Sequence, residues 1–139
     1  MSKIKSITTI NAPEALGPYS QAIKAGGFVY ISGQIPLVPE TMEIVSGDFN
    51  KQVTQVFNNL KAIIEESGAN ISNTVKINVY LKDLSNFQKV NSAMETFFAE
   101  KPFPARAAVE VSRLPKDVDI EMDAVVFDDD YFKWLLQKD

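Results

Sequence analysis

DFNKQVTQVFNNLKAIIEESGANISNTVKINVYL, Asp48 to Leu81, changes its period halfway along. Asp48 offers a side-chain acceptor where a helix would start. Phe49, Val53, Val56, Phe57, Leu60, Ile63 and Ile64 then recur at helical spacing, and Gly68 stands where a C-terminal cap is wanted. From Thr74 the period falls to two, with Val75, Ile77, Val79 and Leu81 on one face of a strand. An amphipathic helix feeding a half-buried strand predicts a helix laid on a sheet.

The flanking sequence extends this unit. Residues 1–17 read as extended and irregular. Pro18 to Lys24 reads as a strand, Gly26-Gly27 as a turn and Phe28 to Gly33 as its hairpin partner. Gln34 to Gly47 holds Pro36, Pro39 and Gly47 and reads mostly as loop. Downstream, Ser85 or Asn86 is placed to cap a second helix to about Ala99, with Phe87, Val90, Met94, Phe97 and Phe98 as its stripe and Pro102 and Pro104 beyond its end. Strands over Ala105 to Val111 and Asp119 to Phe127 follow, joined through Leu114-Pro115-Lys116-Asp117. The order ββαβαββ predicts an α+β domain with one mixed sheet and two helices on one face.

Val29, Ile31, Val75, Ile77, Val79, Val109, Val111, Ile120, Met122, Ala124 and Val126 would face the helices. The second face would carry Phe28, Tyr30, Ser32, Asn78, Tyr80, Arg106, Ala108, Glu110, Glu121, Asp123, Val125 and Phe127. That face is too aromatic to lie bare and too polar to be a core, so an oligomer packed through it is expected.

The 139 residues suit one domain, and 45% hydrophobic residues suffice for a core. A net charge of −4 lacks the basic footprint of a nucleic-acid binder. There is no apolar run of about 18 residues to span a membrane, and the N-terminal residues do not read as a secretory signal. A cytoplasmic location is expected, with the mitochondrion left open. The chain has no Cys and no His, which removes thiolate chemistry, the commonest general base and the usual zinc ligand.

FPARAAVEV, Phe103 to Val111, alternates like a strand and sets Arg106 among small neighbours. On the second face Arg106 would meet Glu121. A structural ion pair is the commoner meaning of such a pattern; the alternative is an anion clamp beside a proton acceptor. Asp123 and Glu110 read as rim or solvated charges. In GPYSQA and ISGQIP, Ser32 and Gly33 read as a strand end with a turn glycine or as a hydroxyl and close backbone facing a ligand. Tyr19 reads as core or as pocket wall.

GPYSQA, VYISGQIP, VKINVYLKDLSNFQKVN and FPARAAVEVSRLPKDVDIEMDAV together resemble the RidA (YjgF) family of reactive-intermediate deaminases, over about Ala12 to Val126. The resemblance implies a chorismate-mutase-like fold and a homotrimer with sites between subunits. It implies hydrolysis, without a cofactor or metal, of 2-enamine/2-imine acids such as 2-aminoacrylate and 2-iminobutanoate to 2-keto acids and ammonia. Pyridoxal-phosphate enzymes release such intermediates. By the same resemblance Arg106 binds the substrate carboxylate and Glu121 activates water. Tyr19, Ser32, Gly33 and Asn91 belong to the pocket. Many relatives carry Cys where this chain has Ala108, so no thiol is needed here; the Ala108 carbonyl is left to accept a hydrogen bond from the substrate nitrogen.

The resembled family is also associated with ribonuclease activity and translation inhibition, which the missing His and acidic charge argue against; a non-enzymatic small-acid-binding or chaperone-like role is the other alternative, because the same interfacial pocket would serve it. Residues 1–127 are read as a single domain and 128–139 as a C-terminal extension. In that extension Asp128, Asp129 and Asp130 precede Tyr131, Phe132, Trp134, Leu135 and Leu136, and Lys138 follows, a charge order that suits a short helix. Docking on its own subunit and contact with a partner are equally open there.

Overall fold

The computed structural model describes residues 3–137. Six strands form the main sheet: β1 (Ile4–Ile7), β2 (Ala22–Ala25), β3 (Phe28–Gln34), β6 (Thr74–Leu81), β7 (Ala105–Glu110) and β8 (Ile120–Phe127). A small hairpin, β4 (Leu37–Val38) with β5 (Glu43–Ile44), stands apart. The sheet order is β1-β2-β3-β8-β6-β7, antiparallel except for the parallel edge pair β6–β7. A parallel pair needs a crossover, and helix α2 (Phe87–Phe97) supplies it. Residues 1–17 are therefore not wholly irregular, and Gln34 to Gly47 is not all loop. Strand β2 begins at Ala22, later than the Pro18 expected, because Gly17 to Gln21 turns before it can pair.

Helix α1 (Phe49–Glu66) forms as its spacing predicts. The Asp48 side chain accepts from the Lys51 N–H, and Gly68 lies just past the Ser67 cap at φ +89°, a left-handed value that glycine adopts without strain. Its buried stripe, with Val90 and Met94 of α2, packs on Val29, Ile31, Ile77, Val79, Leu81, Ile120, Met122, Ala124 and Val126. Phe57 stacks on Phe97 at 4.4 Å. Asn86 occupies the N-cap position of α2, as one of the two expected residues, but its side chain makes no capping hydrogen bond. Asp83 instead accepts from the Ser85 N–H to start a single 3₁₀ turn, Leu84–Asn86, that runs into the helix.

Two expected inward residues are not inward. Val75 is 40% exposed because the β6–β8 register slips between Thr74 and Lys76, leaving Val75 as the extra residue of a bulge. Val109 is 47% exposed. The parallel register sets Arg106 opposite Ile77, Ala108 opposite Val79 and Glu110 opposite Leu81, so these three lie on the helix side. Strand β7 does show contrast, but at the sheet edge its charged side, Arg106 and Glu110, stays exposed on the helix side while Ala105, Ala107 and Val109 turn to the open face, so the alternation pointed the wrong way.

A third helix, α3 (Asp129–Gln137), follows β8 and docks on its own chain. Phe132 stacks on Phe127 at 5.0 Å, and the rings of Tyr131 and Phe132 lie against Gly27. Asp128, 3% exposed, lies 3.5 Å from the Lys24 ammonium, which also donates to the Ser67 carbonyl at 2.6 Å. The Asp130 N–H donates to Asp128 Oδ1 at 3.1 Å, starting the helix. Lys138 lies outside the described residues. Asp128→Ala leaves the ammonium half-enclosed without its counter-charge; urea denaturation is expected to show a loss of about 2 kcal/mol.

Candidate functional site

Arg106 and Glu121 do not share a face. Arg106 lies on the helix side of β7, and Glu121 lies on the open side of β8, with β6 between the two strands. The expected intrachain Arg–Glu pair is thus absent, for the reason that inverted β7.

The guanidinium of Arg106 sits 4.7 Å from the Phe87 ring centre, and Nη1 donates to Asn91 Oδ1 at 2.5 Å and to Met94 Sδ at 3.4 Å. No carboxylate within the described residues lies within 4.0 Å of it. A cation stacked on an aromatic ring and steadied by one amide keeps its fork in position while its charge stays uncompensated. A hollow of about 440 Å³ opens beside it, walled by Gln88, Asn91, Glu95, Phe103 and Arg106. Two members of the α2 stripe, Phe87 and Met94, thus serve Arg106 as well as the helix, a role their spacing concealed. Ala108 packs against the core, and Glu110 accepts from the Leu84 N–H at 2.9 Å, capping the turn before α2.

On the open face, β3 carries one residue more than β8 between Ile31 and Gln34. This bulge brings Gly33 against Glu121. A Cβ on Gly33 would collide with Glu121 Oε2, so the notch exists because the residue is glycine. Glu121 is half-buried there and accepts no hydrogen bond within the described residues. Desolvation lifts its carboxyl above the ordinary range, and the charge of Asp123 adds to the rise. The Ser32 hydroxyl is turned away and donates to the Ser20 carbonyl at 2.6 Å. Tyr19, 54% exposed, lines a hollow of about 250 Å³ with Glu14, Gly33 and Lys116. Buried Gln21 fixes that approach: its amide accepts from the Thr9 N–H and donates to the Thr9 and Pro13 carbonyls.

Tyr19, Gly33 and Glu121 therefore gather on one side, Arg106 and Asn91 on the other. The pattern also left unread that Asp123 is not a loose rim charge. Its two oxygens accept from Asn78 Nδ2 and from the Tyr80 hydroxyl, each at 2.8 Å. Register was the missing signal, since Asn78 faces Asp123 and Tyr80 faces Glu121 only once β6 and β8 are paired.

Gly33→Ala should stay folded, because the clash is with the far end of a side chain that can swing. A crystal structure of the variant is expected to show the Glu121 carboxylate displaced from the notch.

Comparison with known proteins gives a consistent answer. The sequence profile of the family described as Endoribonuclease L-PSP matches residues 9–127. A RutC family protein of Pyrococcus abyssi is 55% identical over 121 residues, covering 87% of this chain and 94% of that one. The 2-iminobutanoate/2-iminopropanoate deaminase of Escherichia coli K12 is 48% identical over 123 residues, covering 87% of this chain and 95% of its own. The crystal structure of RidA from an Antarctic Psychrobacter species superposes with a TM-score of 0.84 at 46% identity, over 88% of this chain and 98% of that one. The mixed sheet with α1 and α2 is that of this solved structure, and the chain belongs to the Endoribonuclease L-PSP (YjgF/RidA) family.

Proposed function

We propose that this protein is a hydrolytic deaminase of reactive 2-imino acids, working as a homotrimer whose sites lie between copies. The observation that carries the reading is the pair of half-sites: on one face Arg106, held by Phe87 and Asn91 with no carboxylate within 4.0 Å among the described residues, and on the other the half-buried Glu121 carboxyl in the Gly33 notch. One chain cannot bring them together. The second copy that would cover the open aromatic face can. Relatives named 2-iminobutanoate/2-iminopropanoate deaminase at 42% and 48% identity support the substrate class.

In this reading the Arg106 fork of one copy takes the substrate carboxylate, with Asn91 steadying it, and fixes C2 at the mouth of the hollow. The enamine acid becomes an iminium by protonation at carbon. Glu121 of a second copy holds a water against C2. As the water oxygen bonds to C2, its proton passes to Glu121 and the C=N electron pair moves to nitrogen. The carbinolamine then collapses: nitrogen takes the proton back from Glu121, the C2–N bond breaks with its electron pair leaving on ammonia, and the hydroxyl gives its proton to Glu121 as the C=O of the 2-keto acid forms; Glu121 returns that proton to the departing ammonia, which leaves as ammonium. Tyr19 and Gly33 wall the pocket, and the Ala108 carbonyl accepts from the substrate nitrogen. Positioning plus one acid–base group is enough for a substrate that water already attacks unaided.

The test is ammonia and keto-acid release when a dehydratase generates 2-aminoacrylate in situ. Faster release with the protein than without it is the expected result. A rate that does not depend on the protein sinks the reading. The family description also names an endoribonuclease, but an acidic chain without His lacks both the phosphate-tracking groove and the usual base for RNA cleavage.

A further inference from the structure

Two carboxylates stand two residues apart on the open side of β8, and they are treated differently. Asp123 has both oxygens occupied, by Asn78 Nδ2 and by the Tyr80 hydroxyl at 2.8 Å each. Glu121 has no hydrogen bond within the described residues and lies in the Gly33 notch. Tyr80 is the cross-strand partner of Glu121 but gives its proton diagonally to Asp123. The four side chains form a square in which one acid is pinned and the other left available.

We propose that the Asn78–Asp123–Tyr80 network is a positioning element for Glu121, fixing a negative charge beside it so that Glu121, and not Asp123, takes and returns the proton in the reaction. The inference rests on the deaminase reading above. Two neighbouring acids with different surroundings take different roles, because the pinned one keeps its charge and makes ionisation of the other costlier. The Tyr80 phenol is held protonated, its tendency to ionise reduced first by the bond to Asp123, then by desolvation and by the charges of Asp123 and Glu121. It therefore remains a donor over the whole working range. The other groups facing Glu121 carry no competing fixed charge in contact with it: β3 presents the Gly33 backbone, and the hollow beyond it holds Glu14, Tyr19 and Lys116. An Arg106 guanidinium arriving from a second copy would pull the proton affinity of Glu121 down, so a neighbouring negative charge is what keeps a carboxylate there effective as a base.

Asp123→Asn keeps the shape and removes the charge. The carboxyl of Glu121, followed by carbon NMR in protein labelled at glutamate side chains and assigned with Glu121→Gln, is expected to titrate at lower pH in Asp123→Asn than in the unaltered protein. The acid limb of kcat/KM for imine hydrolysis should move in the same direction, with kcat on the plateau about tenfold lower and KM little changed. Asp123→Glu, which restores a charge, should return the titration and the acid limb toward their original positions. Tyr80→Phe keeps the charge of Asp123 and removes a donor that partly offsets it, and should move the Glu121 titration by less and the opposite way; it stands in if Asp123→Asn does not fold. An unaltered protein that hydrolyses imines while neither variant moves the Glu121 titration overturns the positioning role alone. An unaltered protein with no imine hydrolysis overturns the role together with the deaminase reading.

Discussion

Glu121→Gln is expected to lower kcat for imine hydrolysis by about 10²–10⁴-fold while leaving the fold and keto-acid binding intact. Gln has the length and planarity of Glu and fits the same notch beside Gly33. It accepts no proton, so the water it holds is not activated. Removing a half-buried acid also removes a desolvation cost, so the thermal midpoint should not fall. Single-turnover kinetics on dehydratase-generated 2-aminoacrylate, with keto-acid binding by calorimetry, separates the two effects. Turnover within threefold of the unaltered protein would move water activation to another group.

Arg106→Ala should abolish capture of the carboxylate, and Arg106→Lys should weaken it. A charge-assisted hydrogen bond contributes about 1.5–3 kcal/mol, so losing one prong of the fork costs about one to two orders of magnitude in kcat/KM. Both variants should fold, because Arg106 leans on Phe87, Asn91 and Met94 without satisfying any buried acid. Mixing supplies the sharper test. Equal amounts of Arg106→Ala and Glu121→Gln protein, unfolded together and reassembled, should recover roughly a quarter of the unaltered activity if each site joins Arg106 of one copy to Glu121 of another. Each variant reassembled alone should remain inactive. No recovery in a mixture that sediments as mixed oligomers would place both residues in sites within single chains.

The elements carried their own signals where burial was one-sided. Helix α1 shows seven apolar residues at helical spacing and two terminal caps, β8 alternates cleanly, and β6 does so from Lys76 onward. Strand β7 misled this reading, because its charged side, Arg106 and Glu110, lies toward the helices at an edge where charges still reach solvent, and its apolar side, Ala105, Ala107 and Val109, lies on the open face. Its facing was decided by pairing with β6, a contact between segments about thirty residues apart that no local pattern contains. The candidate residues were legible as a motif, whereas their division between two faces was not. Asp123 is the same case: a charged residue on a strand reads as solvated until register places Asn78 opposite it and Tyr80 on the diagonal.

Strand β8 lies between β3 and β6 although it is the last strand in the chain. A growing polypeptide therefore holds two unfinished half-sheets, β1-β2-β3 and β6-β7, with no partner for the inner edge of either until residues 120–127 have left the ribosome. Pairings such as Phe28 with Phe127 join residues almost a hundred positions apart, and such closure comes late in folding. A chain interrupted before residue 120 lacks its central strand and leaves two open strand edges, the surface on which chains pair wrongly with one another.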